Sequence, residues 1–443
     1  MSEEILYDAI VVGGGPGGTA AASFLGLKGK KVLLLEKEVW PRDKTCGDAL
    51  SGKSVGILNE LGLSEQLEKA DHSVVNGLTF SSPNGKLVRI PFNLSEKDIA
   101  KGYVSRRMVA DYIMWQSAKK HCDAHDGMSV TAVVRENTMT AAVEGAGGAG
   151  KEAGDTTGAE GGDATQGAAA TAGKIVGVKA KGKDGVEHEF RGKIIIGADG
   201  VSSLVAREIR GTEVDPDHTC IAYRAYYSGI TGMDQSLEIH FVKSCMPGYF
   251  WIFPLENGLA NVGVGMVMSD MKRGNVNLQK AMLDAIAENP LFKDRFAAAK
   301  LVSPIKAWSL PFGSKKRKVH DDNVLLIGDA AGLVDPFSGE GIGNALLSGK
   351  LAANVVIEAL EANDTSAAFL AKYDKQLWDA VWNELQSSYN MQKLGRYEWL
   401  LNFVVGKAAK SEKAREAIAG TFTSKESRNE YSSLLFYVKL LLT

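Results

Sequence analysis

Asp8-Ala9-Ile10-Val11-Val12-Gly13-Gly14-Gly15-Pro16-Gly17-Gly18 runs from a short apolar strand directly into a helical pattern, and its reading decides the fold. Gly13, Gly15 and Gly18 supply G-x-G-x-x-G. The first allows the tight turn, the second lets a pyrophosphate approach the backbone, and the third lets helix pack on strand. Pro16 and Gly17 lie at the helix start, where unpaired N–H groups and the positive end of the dipole favour an anion. Lys31-Val32-Leu33-Leu34-Leu35-Glu36 then reads as a second parallel strand. It ends in an acid at about the twenty-residue distance expected for a ribose-binding carboxylate. Glu36 is therefore expected to hydrogen-bond ribose hydroxyls, with Lys37 beside it.

Strand, glycine turn, helix, strand and terminal acid occur in the order a dinucleotide site requires. A terminal Glu argues against a ribose 2′-phosphate, and the turn alone leaves both FAD and NAD open. At 443 residues the chain exceeds one core, so two or three lobes are expected, and 45% hydrophobic residues can furnish them. With 51 basic and 53 acidic residues the net charge is −2, which gives no global pull toward nucleic acid. Cys46, Cys122, Cys220 and Cys245 form no C-x-x-C pair, so neither a metal site nor a disulfide framework is expected, and a reducing cytoplasmic setting follows. The acidic Met1-Ser2-Glu3-Glu4 leads straight into the first strand, no secretory signal is read, and no apolar run is long enough to span a bilayer. A lipid substrate would be met from the membrane surface.

Downstream, Trp40 to Asp48 is a polar loop, and Ser51 can cap a helix through Leu61. Val74 to Phe92 alternates about Pro83-Asn84-Gly85 and reads as a hairpin that begins a second lobe. Tyr103 to about Lys120 reads as a helix with Arg106 as its solvated start. Residues 145–173 are nearly all Gly, Ala, Thr, Asp and Glu and read as a disordered, inflated loop tip between two strands of a meander. Lys193-Ile194-Ile195-Ile196-Gly197-Ala198-Asp199-Gly200 reads as a buried parallel strand ending in Asp-Gly. Tyr223 to Val267 is β-like, with Tyr249, Trp251 and Phe253 on one sheet face. Asn323 to Asn344 repeats strand, Gly-Asp, glycine-rich loop and helix, and the remainder is helical. The apolar run Leu434 to Leu442 reads as core packing, with membrane docking as the alternative.

Together, Gly13 to Glu36, Ala198-Asp199-Gly200 and Gly328-Asp329 resemble the FAD fingerprint of the aromatic-hydroxylase-like flavoprotein superfamily. Within it, Cys46-Gly47-Asp48 and Tyr249-x-Trp251-x-Phe253-Pro254, followed by Gly263-x-Gly265, are similar to the geranylgeranyl reductase family over nearly the whole chain. The resemblance implies an α/β fold: a Rossmann-type FAD-binding domain, an inserted antiparallel-sheet substrate domain and a helical C-terminal region. The expected boundaries are 1–72, 101–220 and 315–360 for the first, 73–100 and 221–314 for the second, and 361–443 for the third.

It also implies roles. Arg107 contacts the dinucleotide, as do Asp199, Gly200, Cys46 and Gly47; Asp329 binds the ribityl chain; Gly341 and Ile342 face the flavin pyrimidine ring. Tyr249, Trp251, Phe253 and Pro254 wall an isoprenoid cleft, and Trp251 touches ligand. Cys46 lies near the reacting double bond, as proton donor, positioner or relay, and Asp48 shares the proton path or caps the next helix. The implied activity is FAD-dependent reduction of isolated double bonds in geranylgeranyl lipids, with NAD(P)H or a ferredoxin as electron donor and peripheral contact with the membrane. A flavin monooxygenase or halogenase shares the flavin motifs, and a non-catalytic prenyl carrier is the alternative outside enzymes. A quinone-linked dehydrogenase is disfavoured because no cysteine lies beyond residue 245 to hold iron and sulfur.

Overall fold

The computed structural model describes residues 5–92, 102–136, 173–212 and 214–423. Nearly all of the alanine- and glycine-rich segment 145–173, and the apolar run Leu434 to Leu442, lie outside them. The strand Leu6–Val12 pairs in parallel with Glu187–Gly197 on one side and Val32–Leu35 on the other. Val324–Leu326 and Asp123–His125 extend this parallel sheet outward in both directions. The central stretches 9–12, 32–35 and 194–196 are continuously apolar because helices cover them, and Ile10, Leu33 and Ile195 are fully buried. Ser129–Arg135 and Ile175–Lys181 form the expected antiparallel meander on Glu187–Gly197.

The helix Pro16–Leu27 leaves the glycine turn and crosses the helix Ile342–Glu361 at close range. A Cβ on Gly349 would stand 2.4 Å from the Gly17 carbonyl oxygen. The two helices that begin at the two glycine-rich loops are thereby locked to one another, which fixes the loops relative to each other.

The second sheet runs Lys300–Leu301, Thr219–Ser228, Leu259–Val267, Tyr249–Pro254, Ser236–His240, Gly77–Ser81, Leu87–Pro91, with Lys306–Pro311 also on Thr219–Ser228. It is antiparallel except at one joint, where Ser236–His240 pairs in parallel with Gly77–Ser81. Two boundaries differ from expectation. Tyr103 and Val104 belong to the strand Gly102–Val104, not to the helix, which starts at Arg107. The hairpin begins at Gly77, because Val74 and Val75 pair with Gly102–Val104 in a separate three-stranded sheet completed by Ala49–Leu50. Apolar alternation continues through both junctions, so it does not mark where a strand changes partner. Arg106, expected at a solvated helix start, pairs with Glu256 at 2.5 Å.

Past the nucleotide sheet, Leu370, Tyr373 and Leu377 of the helix Ala367–Leu394 insert into the parallel-sheet core, and the Tyr373 hydroxyl donates to the Leu326 carbonyl at 2.8 Å. The chain then crosses to the other sheet. Val405 of Glu398–Ala408 and Ala414 of Glu412–Thr423 pack with Leu78, Phe80 and Ile90 of the hairpin.

Candidate functional site

Gly13 takes φ +107°, and a Cβ there would stand 2.4 Å from the Ala198 carbonyl oxygen, so the first turn accepts only glycine. Gly15, with an extended backbone, caps Pro16–Leu27 without a side chain, and Pro16 fills the first helical position. Above Gly15 only the far end of Arg42 comes within 4 Å, at 3.8 Å. Open space over a helix N-terminus is the cradle a pyrophosphate needs. Gly18 serves packing instead. A Cβ on it would lie 1.9 Å from the Gly13 carbonyl oxygen, so it seats the helix beneath the turn and does not border the cleft. The two Glu36 carboxylate oxygens accept from the backbone N–H of Gly14 and of Glu38, each at 2.9 Å. Those bonds aim the acid and leave it lone pairs for hydroxyl donors.

Gly13, Gly15, Pro16, Gly17, Glu36 and Lys37 open onto a cleft of about 1190 Å³. Arg107, Asp199, Gly200, Asp329, Gly341 and Ile342 border the same cleft. This volume exceeds the roughly 300–1,000 Å³ typical of a site for one small ligand. Asp199 turns its carboxylate to its own helix, accepting from Ser203, from Leu204 N–H at 2.7 Å and from Val205 N–H at 3.4 Å, and so orders the Gly200 turn. Burial pushes its pKa up. Asp329 follows Gly328, which is left-handed at φ +58°, and faces Lys44 at 3.5 Å. The N-terminus of Ile342–Glu361 begins beside it, since a Cβ on Gly341 would stand 3.5 Å from Asp329 Oδ1. These features fit a flavin dinucleotide laid across both glycine-rich loops.

Arg107 is buried and grips Asp111 with Nε–Oδ1 at 2.5 Å and Nη2–Oδ2 at 2.6 Å. Burial alone would lower the guanidinium pKa, but the paired Asp111 carboxylate more than offsets it and the net shift is upward. Arg42 adds a second cation on Asp111 at 3.1 Å. The carboxylate of Asp111 is held below its usual range by these cations against the opposing effect of burial.

The cleft continues past Cys46, Gly47 and Asp48 into an apolar chamber walled by Tyr249, Trp251 and Phe253. Trp251 is paired across the sheet with Gly263, and Tyr249 with Gly265. A Cβ on Gly263 would come within 2.2 Å of the Trp251 ring, so the glycine makes room for the indole to lie across the neighbouring strand. Leu78, Phe92, Leu237 and Phe241 line the chamber as well. Pro254, expected in this wall, does not border the cleft; it is the last residue of its strand and lies opposite Ala260.

The loop Cys46–Asp48 sits at the junction of cradle and chamber. Asp48 is fully buried in a left-handed backbone at φ +66°. Burial raises its pKa to about 6, against the pull of Arg224, Asn261, Tyr226 and Arg107. Its Oδ2 accepts from the Tyr226 hydroxyl and from Asn261 Nδ2, both at 2.8 Å. Arg224, almost wholly buried, donates to the Cys46 carbonyl at 3.3 Å and to Asp43 at 2.9 Å. Sequence reasoning gave Tyr226, Asn261 and Arg224 no role. The signal available was a lone amide and a lone guanidinium among the apolar and aromatic residues in the middle of their strands.

Among the described residues no cluster of His, Cys, Asp and Glu is arranged to hold a metal ion, and no helix is long and apolar enough to cross a membrane. Residues 6–387 match a family described as FAD binding domain. The chain is 30% identical over 376 residues to digeranylgeranylglycerophospholipid reductase 1 of Methanopyrus kandleri, covering 84% of this chain and 86% of that protein. Its fold matches a geranylgeranyl bacteriochlorophyll reductase-like protein from Thermoplasma acidophilum with TM-score 0.76, at 24% identity, over 96% of this chain and 98% of the other. A flavin-dependent brominase shares the fold with TM-score 0.72 at 20% identity, over 98% and 99% of the two chains. The dinucleotide cradle, the family match and the reductase relative together make this chain an FAD-dependent oxidoreductase belonging to the digeranylgeranylglycerophospholipid reductase family.

Proposed function

We propose that the protein reduces isolated double bonds in geranylgeranyl chains, with a digeranylgeranylglycerophospholipid as substrate, in the synthesis of archaeal-type membrane lipids. The observation that carries this reading is the continuity of the cleft. The Gly13–Gly17 cradle and the Tyr249, Trp251 and Phe253 wall open into one another, with Cys46-Gly47-Asp48 between them. A dinucleotide needs the first part, and a long alkenyl chain needs the second.

In this reading Gly13, Gly15, Pro16 and Gly17 receive the pyrophosphate, with Gly18 packing behind them, while Glu36 and Lys37 hold the adenosine ribose. Arg107, Gly47, Asp199 and Gly200 bound the dinucleotide, Asp329 takes the ribityl hydroxyls, and Gly341 with Ile342 presents helix N–H groups to the flavin pyrimidine edge. When bound and reduced, FAD would supply hydride for the alkene, and the protein's part is to deliver the balancing proton to the other carbon. Tyr249, Trp251 and Phe253 orient the chain and exclude water. Cys46 and Asp48 are the protein groups placed to hold or pass that proton. Asp48, with a carboxyl that burial raises to about 6, can exchange a proton close to neutral pH.

Electrons come from NAD(P)H or a ferredoxin, and the lipid is reached by peripheral contact with the membrane surface. Exposed Tyr397 and Trp399, at the start of a helix that packs on the chamber's hairpin, suit such a contact. Anaerobic incubation of dithionite-reduced protein with digeranylgeranylglyceryl phosphate, followed by mass spectrometry, tests the reading. Mass gains in steps of one hydrogen molecule support it. An unchanged lipid beside a flavin that stays reduced overturns it and favours the oxygen-dependent halogenase or monooxygenase chemistry that the brominase-like fold also accommodates.

A further inference from the structure

We propose that Tyr226 and Asn261 are a positioning pair: they hold the Asp48 carboxyl by a single oxygen, and Asn261 ties it to the indole of Trp251. The acid at the flavin side and the wall at the alkene side thereby answer to one amide. The inference rests on the reductase reading for its functional meaning and on geometry alone for its existence.

Tyr226 and Asn261 lie directly opposite each other on the antiparallel strands Thr219–Ser228 and Leu259–Val267. Such pairs have side chains on the same sheet face at short range, so two donors can converge on one acceptor. Both reach Asp48 Oδ2 at 2.8 Å. The orientation of the Asn261 amide is fixed by chemistry. Trp251 Nε1 lies 2.9 Å from Asn261 Oδ1, and an indole N–H can only donate, so the amide oxygen must face Trp251 and the NH₂ must face the loop. The same NH₂ donates to the Cys46 carbonyl at 2.6 Å. Asn261 is fully buried, and its three bonds tie the Cys46–Asp48 loop to the indole of Trp251 on the neighbouring strand. The other carboxyl oxygen of Asp48, Oδ1, is buried and has no hydrogen-bond partner. With Oδ2 held by two donors, Oδ1 is the atom left to carry a proton.

The cations facing the carboxyl are Arg224 from the strand Thr219–Ser228 and Arg107 from the helix Arg107–Ala118; Asp43, paired with Arg224, tempers the first. Both bonds of the pair favour the ionised acid, so removing either drives the Asp48 titration upward.

The experiment is a pH titration of the holoenzyme labelled with ¹⁵N at its indoles, with Trp251→Phe identifying the Trp251 N–H signal. In the wild type that signal is expected to titrate with a midpoint near 6, reporting Asp48 through Asn261. Asp48→Asn should abolish the titration, Tyr226→Phe should move it upward, and Asn261→Ala should uncouple the signal from pH. Lipid reduction should fall about ten-fold or more in kcat in Tyr226→Phe, the loss of one hydrogen bond to a charged group, with bound flavin retained. An indole signal indifferent to pH in the wild type, or an unmoved midpoint in Tyr226→Phe, overturns the proposal. Tyr226→Phe removes only one oxygen and serves alone where Asn261→Ala does not fold. A titration that behaves as expected in a protein that reduces no prenyl lipid sinks the reductase reading and leaves the pair standing.

Discussion

The indole of Trp251 lies across Gly263 on the adjacent strand, so close that a single added methyl would meet the ring at 2.2 Å. Gly263→Ala must push the ring off its seat or force the two strands apart, and the lost stability is expected to be about 1–3 kcal/mol. Because Gly263 acts through Trp251 in the chamber wall and touches no part of the dinucleotide cradle, flavin content should stay near one per chain while lipid reduction drops. Flavin absorbance at matched protein concentration and product mass spectrometry read the two effects separately.

Cys46→Ala and Asp329→Ala should divide the site differently. Cys46 borders the junction, so its loss is expected to slow double-bond reduction with FAD retained. Asp329 sits at the start of the second glycine-rich loop, so its loss should weaken flavin binding itself. Equal flavin loss in the two variants, measured by titrating FAD into the stripped proteins, would refute this division of labour.

Asp48 opposes folding at neutral pH. Its folded pKa is raised from 3.8 to about 6, so the folded state holds the proton more tightly. The acid therefore penalises folding progressively between about pH 4 and 6, and above that range the penalty levels off near 3 kcal/mol. Asp48→Asn should stabilise the protein at pH 8 by up to about that amount and change little at pH 4, while reduction collapses. Asn tolerates the left-handed backbone that this position requires, at φ +66°. Denaturant midpoints at the two pH values decide it; equal shifts at both would show that the gain is not electrostatic.

Away from the cleft, buried Glu238 accepts from Arg295 at 2.6 and 2.7 Å and from His240 at 2.9 Å, and His240 meets Ser81 at 3.0 Å. Burial works to raise the Glu238 pKa, yet these partners hold it below the usual carboxylate range, while burial lowers that of His240. Both directions make acid destabilising: His240 resists protonation as pH falls below the ordinary histidine value of 6.5, and the support from Glu238 is lost below 4.5. Arg295→Met leaves a buried carboxylate without its cation, and a loss of about 3–5 kcal/mol is expected, read as a lowered Tm. A Tm within about two degrees of wild type would show that the Arg is dispensable.

Much of the cradle was legible because its requirements are local. Gly13, Gly15, Gly18 and Glu36 are set by one turn and one strand, and Asp329 by another, so a short window of sequence carries the whole signal. Trp251 and Gly263 were legible as two halves of one pattern, but their contact was not, since it depends on strand register. Tyr226 and Asn261 escaped for a stronger reason. They act on a loop near residue 48 from strands far along the chain, and only the folded sheet brings an amide, a phenol and a carboxyl to one point. The reassignment of Tyr103 and Val104 has the same origin: a three-residue strand is made by its neighbours, not by its own propensity.

The parallel joint between Gly77–Ser81 and Ser236–His240 also bears on how the molecule is made. A parallel neighbour cannot be supplied by a tight turn, so the hairpin must wait for a strand more than 150 residues later. Until that strand leaves the ribosome the hairpin lacks its parallel neighbour, and Leu78 and Phe80 also lack the cover of Val405 and Ala414, which emerge later still. The chamber is therefore a late product of folding with a high contact order, and its newly synthesised half is the segment most in need of protection from aggregation.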